Sequence, residues 1–219
     1  MMHLMRRLLL TSALAGGLAL VGLPAVTSAM ATAANFSPEQ MAALQSLGSY
    51  FNTIRDIKGE FTQVGPRGNV STGIFYISKP GRMRFEYAPP NPFVVVADGT
   101  WVTIKNNAKN KADQYPLSAT PLRLVLADQV DIAKEADIKS IDVANGLTTV
   151  VLEDKSRLVP GQLELVFDSK HNTLQQWVIV DGQGRRTTIS LNNIEASNHP
   201  DPKLFVVKLP NTRKPRSSR

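Results

Sequence analysis

The fold class is decided by residues 70–99, which read VSTGIFYISKPGRMRFEYAPPNPFVVVADG. Runs rich in aromatic and β-branched residues alternate there with three turn signals, KPG at 79–81, PPNP at 89–92 and DG at 98–99. Such runs, bounded by glycine, proline and aspartate, are typical of strands joined by tight turns. The stretch therefore predicts antiparallel strands over 70–77, 82–87 and 93–97, and the turn at 98–99 leads into a further strand over 101–105.

The same alternation continues along the rest of the chain. Asn145-Gly146 is a strong signal for a type I′ hairpin, and polar turns at 168–172 and 181–184 separate further apolar runs. The additional predicted strands cover 61–64, 138–143, 147–152, 162–167, 174–180, 185–191 and 204–209. About ten strands at a spacing of roughly 8–12 residues predict a mainly β (α+β) fold with a strongly curved antiparallel sheet.

Two helices interrupt the strand pattern. Ser37-Pro38 is a capping residue followed by a proline suited to the first helical turn. Apolar residues at spacings of three and four then predict an amphipathic helix, ending near Lys58-Gly59, whose stripe is Met41, Leu44, Leu47, Phe51, Ile54 and Ile57. Thr120-Pro121 opens a short helix through Leu126. That helix is apolar apart from Arg123, so we expect it to be buried or to lie against an apolar surface.

The chain has the N-terminal pattern of an exported protein. Arg6 and Arg7 precede an apolar run over 8–26, and two Ala-x-Ala sites follow at 29–31 and 31–33. An uncleaved membrane anchor is the alternative, but the glycines and Pro24 within the run favour cleavage. We predict a cleaved signal peptide over 1–33, a folded domain over 34–210 and a basic disordered tail over 211–219.

The formal net charge of +7 lies mostly outside the predicted domain. Two arginines fall in the signal peptide and four basic residues lie beyond Thr212, which leaves +1 for residues 34–212. A nearly neutral body without a basic stripe predicts no nucleic-acid partner.

The composition also argues against most catalytic and cofactor chemistry. The absence of cysteine excludes thiol nucleophiles, redox pairs, cysteine-ligated zinc and an N-terminal lipid anchor. His171 and His199 stand in turn-like polar sequence without a ligand-spaced partner, and no Gly-x-Ser-x-Gly elbow occurs. We therefore expect no metal, no cofactor and no catalytic residue. A periplasmic hydrolase remains an alternative that rests on carboxylates without a motif, namely Glu86, Asp98, Glu153 and Asp168.

Read in order, several segments resemble the periplasmic outer-membrane lipoprotein carrier family, LolA. They are FTQ at 61–63, GIFYI at 73–77, KPGRMRF at 79–85, Pro90 and VVVADG at 94–99. The Thr120-Pro121 helix and the strands over 162–207 also follow the family's order. The resemblance implies an unclosed β-barrel covered by a few helices around a hydrophobic cavity.

The resemblance further implies a carrier function. Such a protein binds the acyl chains of lipoproteins in the periplasm of a Gram-negative bacterium and shuttles them from the inner to the outer membrane. Its implied partners are lipoproteins, an inner-membrane lipoprotein-releasing ABC transporter complex, and an outer-membrane acceptor or the membrane itself; we expect a monomer. A lipid- or lipoprotein-sensing protein of the same fold is an alternative, for which an added domain or tether would be expected.

The resemblance assigns the site residues as well. In the family an arginine before the proline holds the lid by bonding to helix backbone, and Lys79 stands at that position. We expect its ammonium to bond carbonyls at the end of the 120–127 helix, the alternative being a solvated turn lysine. The cavity lining expected from the resemblance and the apolar pattern is Phe61, Phe75, Met83, Phe85, Val95, Trp101, Leu122, Val125 and Leu126.

Two strands are apolar on both faces, at 74–77 and 93–96. A sheet with one face in water alternates instead. One interpretation is a sandwich core, or helices on one face with a buried turn on the other. The second is an apolar concave face covered by the helices at 41–57 and 122–126.

Overall fold

Eleven strands form one antiparallel sheet in the computed structural model, which describes residues 36–155 and 161–209. The strands are β1 (Asp56–Val64), β2 (Val70–Ser78), β3 (Arg82–Tyr87), β4 (Phe93–Asp98), β5 (Trp101–Asn106), β6 (Lys111–Pro116), β7 (Ala136–Ala144), β8 (Leu147–Asp154), β9 (Gly161–Asp168), β10 (Thr173–Asp181) and β11 (Arg186–Ala196). The predicted signal peptide and basic tail lie outside the described residues, so the predicted domain boundaries stay predictions.

The sheet consists of two meanders joined through one long-range pairing. Its order is β6-β5-β4-β3-β2-β1-β11-β10-β9-β8-β7, so β11 returns to pair with β1, with Phe61 opposite Leu191. The edge strands are β6 and β7, and the sheet is therefore open. This confirms the predicted fold class, a mainly β protein with an unclosed antiparallel sheet and a few helices.

The sheet curves strongly, because side chains meet across strands that a flat sheet would keep apart. β3 and β10 are four steps apart in the strand order, which corresponds to about 19 Å in a flat sheet. The ring centroids of Phe85 on β3 and Trp177 on β10 are nevertheless only 5.7 Å apart. The concave face therefore encloses a volume between the two meanders.

Within the described residues three α-helices accompany the sheet, α1 (Pro38–Thr53), α2 (Leu122–Leu126) and α3 (Ile132–Glu135). Ser37 caps α1 in a capping box with Gln40, as the sequence indicated. The predicted end of this helix near Lys58-Gly59 is wrong, because α1 stops at Thr53 and β1 begins at Asp56. From Asp56 on, the backbone pairs with β2, and from Ile57 with β11 as well, so Ile57 is buried from a strand.

Helix α1 packs on the concave side of the sheet near β7 and β8. Leu47 and Phe51 are buried, and the ring of Tyr50 lies 5.4 Å from that of Phe167 on β9. Among the described residues, no helix is both long and apolar enough to cross a membrane.

The convex face carries a second, smaller apolar cluster, and it corrects one predicted strand. Residues 204–209 do not form a strand: Pro202–Phe205 is a 3₁₀-helix, capped by the Asp201 side chain, and residues 206–209, the last that the structure describes, have no regular structure. Phe205 is buried against Val94 and Val96 of β4. The backbone of this segment is held by side chains instead of a ladder, since Arg84 Nη1 donates to the Leu204 carbonyl at 3.2 Å.

On β4 the structure combines an apolar concave face, as in the second interpretation, with a convex face covered by a turn-like segment, as in part of the first; the described residues form no sandwich. On β4, Val94 and Val96 face the covered convex side, whereas Phe93 and Val95 face the concave side. A buried 3₁₀ segment thus covers one face of the strand, and the other lines a cavity.

Candidate functional site

A largely apolar cavity of about 530 Å³ lies on the concave face of the sheet. Its walls come from alternate residues of successive strands, as the period of two in a β-strand requires. These residues are Met83, Phe85 and Tyr87 on β3, Phe93 and Val95 on β4, Val102 and Ile104 on β5, Trp177 and Ile179 on β10, and Thr187 and Ile189 on β11. Pro121 and Leu122, at the start of α2, contribute to the lining. The volume is in the usual range of about 300–1,000 Å³ for ligand sites.

One end of the cavity is polar. Gln63, Ser71, Tyr87 and Asn91 line it where β1 and β3 end and where β2 begins. The Tyr87 hydroxyl donates to Gln63 Oε1 at 2.6 Å, and Asn91 Nδ2 donates to Ser71 Oγ at 3.1 Å. Burial raises the pKa of Tyr87, an effect that its bond to Gln63 opposes. The cavity therefore combines an apolar interior with a neutral, hydrogen-bonding rim.

The cavity floor rests on aromatic rings packed against glycines. Phe61 and Phe75 are buried below Phe85, at centroid distances of 4.7 and 5.5 Å. In the β1–β2 register, Phe61 lies opposite Gly73 and Phe75 opposite Gly59. A Cβ at Gly73 would lie 2.6 Å from the Phe61 ring, so only glycine lets the ring cross the strand there.

The turn between β2 and β3 is bonded to the C-terminal ends of both covering helices. Lys79 Nζ donates to the Phe51 carbonyl in the last turn of α1 at 2.6 Å, and the Gly81 amide donates to the Leu126 carbonyl at the end of α2 at 2.8 Å. The Lys79 amide also donates to the Arg55 carbonyl at 2.9 Å. The last carbonyls of a helix have no partner within it, so the turn satisfies groups that would otherwise need water.

Lys79 itself is buried, with 6% of its surface exposed. Burial lowers the pKa of Lys79 to about 8; the neighbouring Arg55 acts in the same direction and Asp128 opposes it. The expectation that its ammonium bonds the 120–127 helix is wrong in its partner: the side chain bonds α1, and backbone of the same turn bonds α2. The solvated turn lysine is excluded by the burial. Whether Lys79 acts as a latch stays a prediction.

Arg123 is the one charged residue of α2, and it fixes this helix in place. Its Nε donates to the buried carboxylate of Asp154 at the end of β8 at 2.7 Å, and its Nη1 donates to Glu135 on α3 at 3.1 Å. The sequence held the signal for this role, a single arginine in an otherwise apolar helix. Asn52 holds α1 in a similar way: its side-chain amide donates to the Val130 carbonyl, and its side-chain oxygen accepts from the Val130 N–H.

The structure brings some of the expected lining residues together and places others elsewhere. Met83, Phe85, Val95 and Leu122 line the cavity. Phe61, Phe75, Val125 and Leu126 are buried in the surrounding core instead. Trp101 does not line the cavity: β5 turns Val102 and Ile104 inward, so Trp101 faces the other side and is 42% exposed. Sequence reasoning missed Trp177, which lines the cavity with its Nε1 buried and without a hydrogen-bond partner.

The carboxylates on which a hydrolase would rest serve local structure. Asp98 and Asp168 accept backbone N–H groups in their own turns. Glu86 pairs with Arg84 at 2.9 Å, and Glu153 with Lys139 at 2.7 Å. None of the four lines the cavity.

In sequence, the chain is similar to outer-membrane lipoprotein carrier proteins. Residues 52–208 match the family model described as outer membrane lipoprotein carrier protein LolA. The outer-membrane lipoprotein carrier protein of Methylibium petroleiphilum is 26% identical over 164 residues, covering 70% of this chain and 79% of that protein. Its counterpart from Albidiferax ferrireducens is 28% identical over 174 residues, covering 70% and 81%. The crystal structure of a LolA superfamily protein from Nitrosomonas europaea aligns with a TM-score of 0.43 at 9% identity, covering 74% of this chain and 97% of that one.

Proposed function

Since the chain belongs to the outer membrane lipoprotein carrier (LolA) family, we propose that it is a periplasmic carrier without enzymatic activity. It binds the acyl chains of lipoproteins in the cavity and shuttles them from the inner to the outer membrane. The observation that carries this proposal is a largely apolar cavity lined from eight strands and the start of α2, in which none of the described lining residues is charged.

The energetics of the cavity fit a carrier that must also release. Each methylene removed from water contributes about 0.8 kcal/mol, so one sixteen-carbon chain offers on the order of 12 kcal/mol. A protein that kept all of this could not pass its cargo on. We infer that the covering helices and the acyl chains compete for the concave face, so that binding exchanges helix contacts for lipid contacts. A second and third chain would need the space that α1 and α2 now cover.

The β2–β3 turn is suited to control this exchange. It bonds the C-terminal carbonyls of both covering helices, and the side chain that reaches α1 is Lys79. We assign Lys79 the role of lid latch, which favours the closed, empty state over the open, loaded one.

The remaining parts of the proposal follow from the carrier role. The chain is exported by a cleaved signal peptide and works as a monomer in the periplasm of a Gram-negative bacterium. It receives lipoproteins from an inner-membrane lipoprotein-releasing ABC transporter complex and delivers them to an outer-membrane acceptor or the membrane. Such a role needs no metal or other cofactor.

The decisive experiment uses two positions on β5, three residues apart, that face opposite sides of the sheet. Ile104→Glu puts a charge into the cavity, whereas Trp101→Glu puts the same charge on the opposite face. We expect I104E to lose binding of a fluorescent fatty-acid probe and the release of labelled lipoprotein from spheroplasts, and W101E to keep both. Mass spectrometry of native protein should find acylated ligands. Equal behaviour of the two folded variants, or no acylated ligand, would contradict the proposal.

A further inference from the structure

Lysines collect at one end of the sheet, around the β5–β6 hairpin. Lys109 lies in the turn of this hairpin and Lys111 begins β6, and both side chains are exposed. On the convex side, Lys105 Nζ donates to the Lys208 carbonyl at 3.1 Å, so the segment after the 3₁₀-helix reaches β5 near the hairpin. Lys203 lines a shallow cleft there together with Lys105 and Lys208. We call these five lysines the basic surface.

The charge of the basic surface is left uncompensated. Within residues 36–155 and 161–209, none of its lysines forms an ion pair. The acids nearest to it in sequence are Asp113 and Asp201, and Asp201 serves as the cap of the 3₁₀-helix. Beyond Thr212 the sequence adds four basic residues and no acid. This end of the domain is therefore positive, although the body as a whole is nearly neutral.

The basic surface lies beside the polar rim of the cavity. The turns after β1, β3 and β5 share one end of the sheet, because consecutive antiparallel strands return every second turn to the same end. The Asn107 N–H donates to the Pro92 carbonyl at 2.9 Å, which ties the β5–β6 hairpin to the turn before β4. In the register, Asn106 pairs with Lys111 on one side and with Phe93 on the other. Since Phe93 lines the cavity, the hairpin and the rim form one continuous surface.

Exposed apolar side chains stand among these lysines. Val206 and Leu209 flank Lys208 and are 67% and 49% exposed, and Phe93 is 39% exposed. Basic residues next to exposed apolar ones are typical of surfaces that bind anionic lipid, where the charges contact headgroups and the apolar groups enter the interface. An acidic protein would use the charges, whereas a bilayer interface also takes up the apolar side chains. The combination therefore favours lipid.

We propose that the basic surface binds a bilayer containing anionic lipids, with the rim of the cavity turned towards the membrane. This inference deepens the proposed function and rests on it, because a carrier held in this orientation passes acyl chains between cavity and bilayer over a short path. Each lysine near such a surface contributes about fivefold in affinity. The contacts weaken with added salt, since the Debye length is about 8 Å at physiological ionic strength.

The first test is co-sedimentation with vesicles. We expect the wild-type protein to bind an equal mixture of phosphatidylglycerol and phosphatidylcholine, to be released by salt, and not to bind phosphatidylcholine alone. The double variant Lys109→Gln/Lys111→Gln should bind the anionic vesicles about 25-fold more weakly, at about fivefold per lysine. The control Lys58→Gln/Lys170→Gln removes two exposed lysines at the opposite end of the sheet and should bind as the wild type does.

The second test reads the orientation. The chain has no cysteine, so a single one can carry an environment-sensitive fluorophore. Ala108→Cys labels the β5–β6 hairpin, and Thr100→Cys labels the turn at the other end of β5. With anionic vesicles, the emission of the label at 108 should shift to the blue and that at 100 should not.

The outcomes separate this inference from the proposed function. Equal binding to both kinds of vesicle, equal losses in the two double variants, or a shift at 100 instead of 108 would overturn the inference. Binding to neither vesicle would overturn it as well and leave an acidic protein as the partner of the basic surface. In all these cases a fluorescent fatty-acid probe still binds the cavity. Failure of the wild-type protein to bind that probe would overturn the proposed function too.

Discussion

Replacing Lys79 by methionine keeps most of the buried stem and removes the donor to the Phe51 carbonyl. In the closed state that carbonyl then lacks its partner, whereas in the open state water can reach it. A buried group left unsatisfied costs about 1–3 kcal/mol, and losing the desolvated charge of Lys79 recovers part of this. We therefore expect the closed state to weaken by about 1–2 kcal/mol, a factor of roughly 5 to 30.

The assay is binding and release of a fluorescent fatty-acid probe. Because the probe binds the open state, its apparent affinity rises with the open fraction. K79M should bind about 5- to 30-fold more tightly and release more slowly than the wild type. Lys79→Arg keeps a donor, in a planar guanidinium that can bond two acceptors, and should not bind the probe more tightly than the wild type does. The control is Lys58→Met, which removes the same charge from the exposed surface of β1.

The pH dependence separates the latch from a general charge effect. The pKa of Lys79 is about 8 in the closed structure and returns towards its ordinary 10.5 when the side chain is solvated. The open state therefore holds the proton more tightly, and the closed state gains stability as the pH rises from 8 to 10.5. Probe affinity of the wild type should fall over that window, and that of K79M should not. If K79M, K58M and wild type agree within twofold and share one pH profile, Lys79 is not the latch.

Five further changes, two of them controls, test the framework around the cavity. Gly73→Ala should lower the free energy of unfolding by about 1–3 kcal/mol in urea titrations, because its Cβ would lie 2.1 Å from a carbonyl oxygen of β3. Gly48→Ala is the control: the position has open space around it, so this helical substitution should raise the free energy of unfolding by about 0.5–1 kcal/mol. Arg123→Met should cost about 2–3 kcal/mol in the same titration, because it breaks the ion pair with a buried carboxylate, and unchanged stability would show that α2 is held by apolar packing alone. Phe205→Ala should lower the free energy of unfolding by about 3–5 kcal/mol, because it empties the second apolar cluster. Truncation after Thr212 should leave the melting temperature unchanged. The reverse result would mean that the tail packs on the domain and the 3₁₀ segment does not.

Most of the sheet could be predicted because its turn chemistry is local. Glycine and asparagine at positive φ mark the turns at Gly81, Gly99 and Asn145-Gly146. β6 was missed, because the sequence KADQYP has no apolar alternation and the strand exists only through its pairing with β5. Residues 204–209 have the composition of a strand, but in the described sheet they pair with no strand, and they pack on the convex face instead.

The site could be predicted only as far as strand parity reaches. In 101–105 the polar Thr103 and Lys105 share a face with Trp101, and this pattern alone indicates that Val102 and Ile104 turn inward. The partner of Lys79 lies outside such reasoning, since it depends on where α1 docks, 28 residues away in sequence. The place of Trp177 in the cavity wall could not be predicted either, because it depends on the curvature that brings β10 towards β3.

The two covering helices differ in how they are held, and this indicates which one moves first. α1 has 16 residues and buries Leu44, Leu47 and Phe51 in the main core. α2 has five residues, too few for a helix to be stable by itself, so its position depends on its buried apolar side chains and on the ties from Arg123 and Gly81. Residues at its start also line the cavity. We therefore expect α2 to swing away before α1. Hydrogen exchange with bound acyl ligand should then show lost protection at the amides of 122–126 while those of α1 stay protected, and the opposite pattern would make α1 the moving part of the lid.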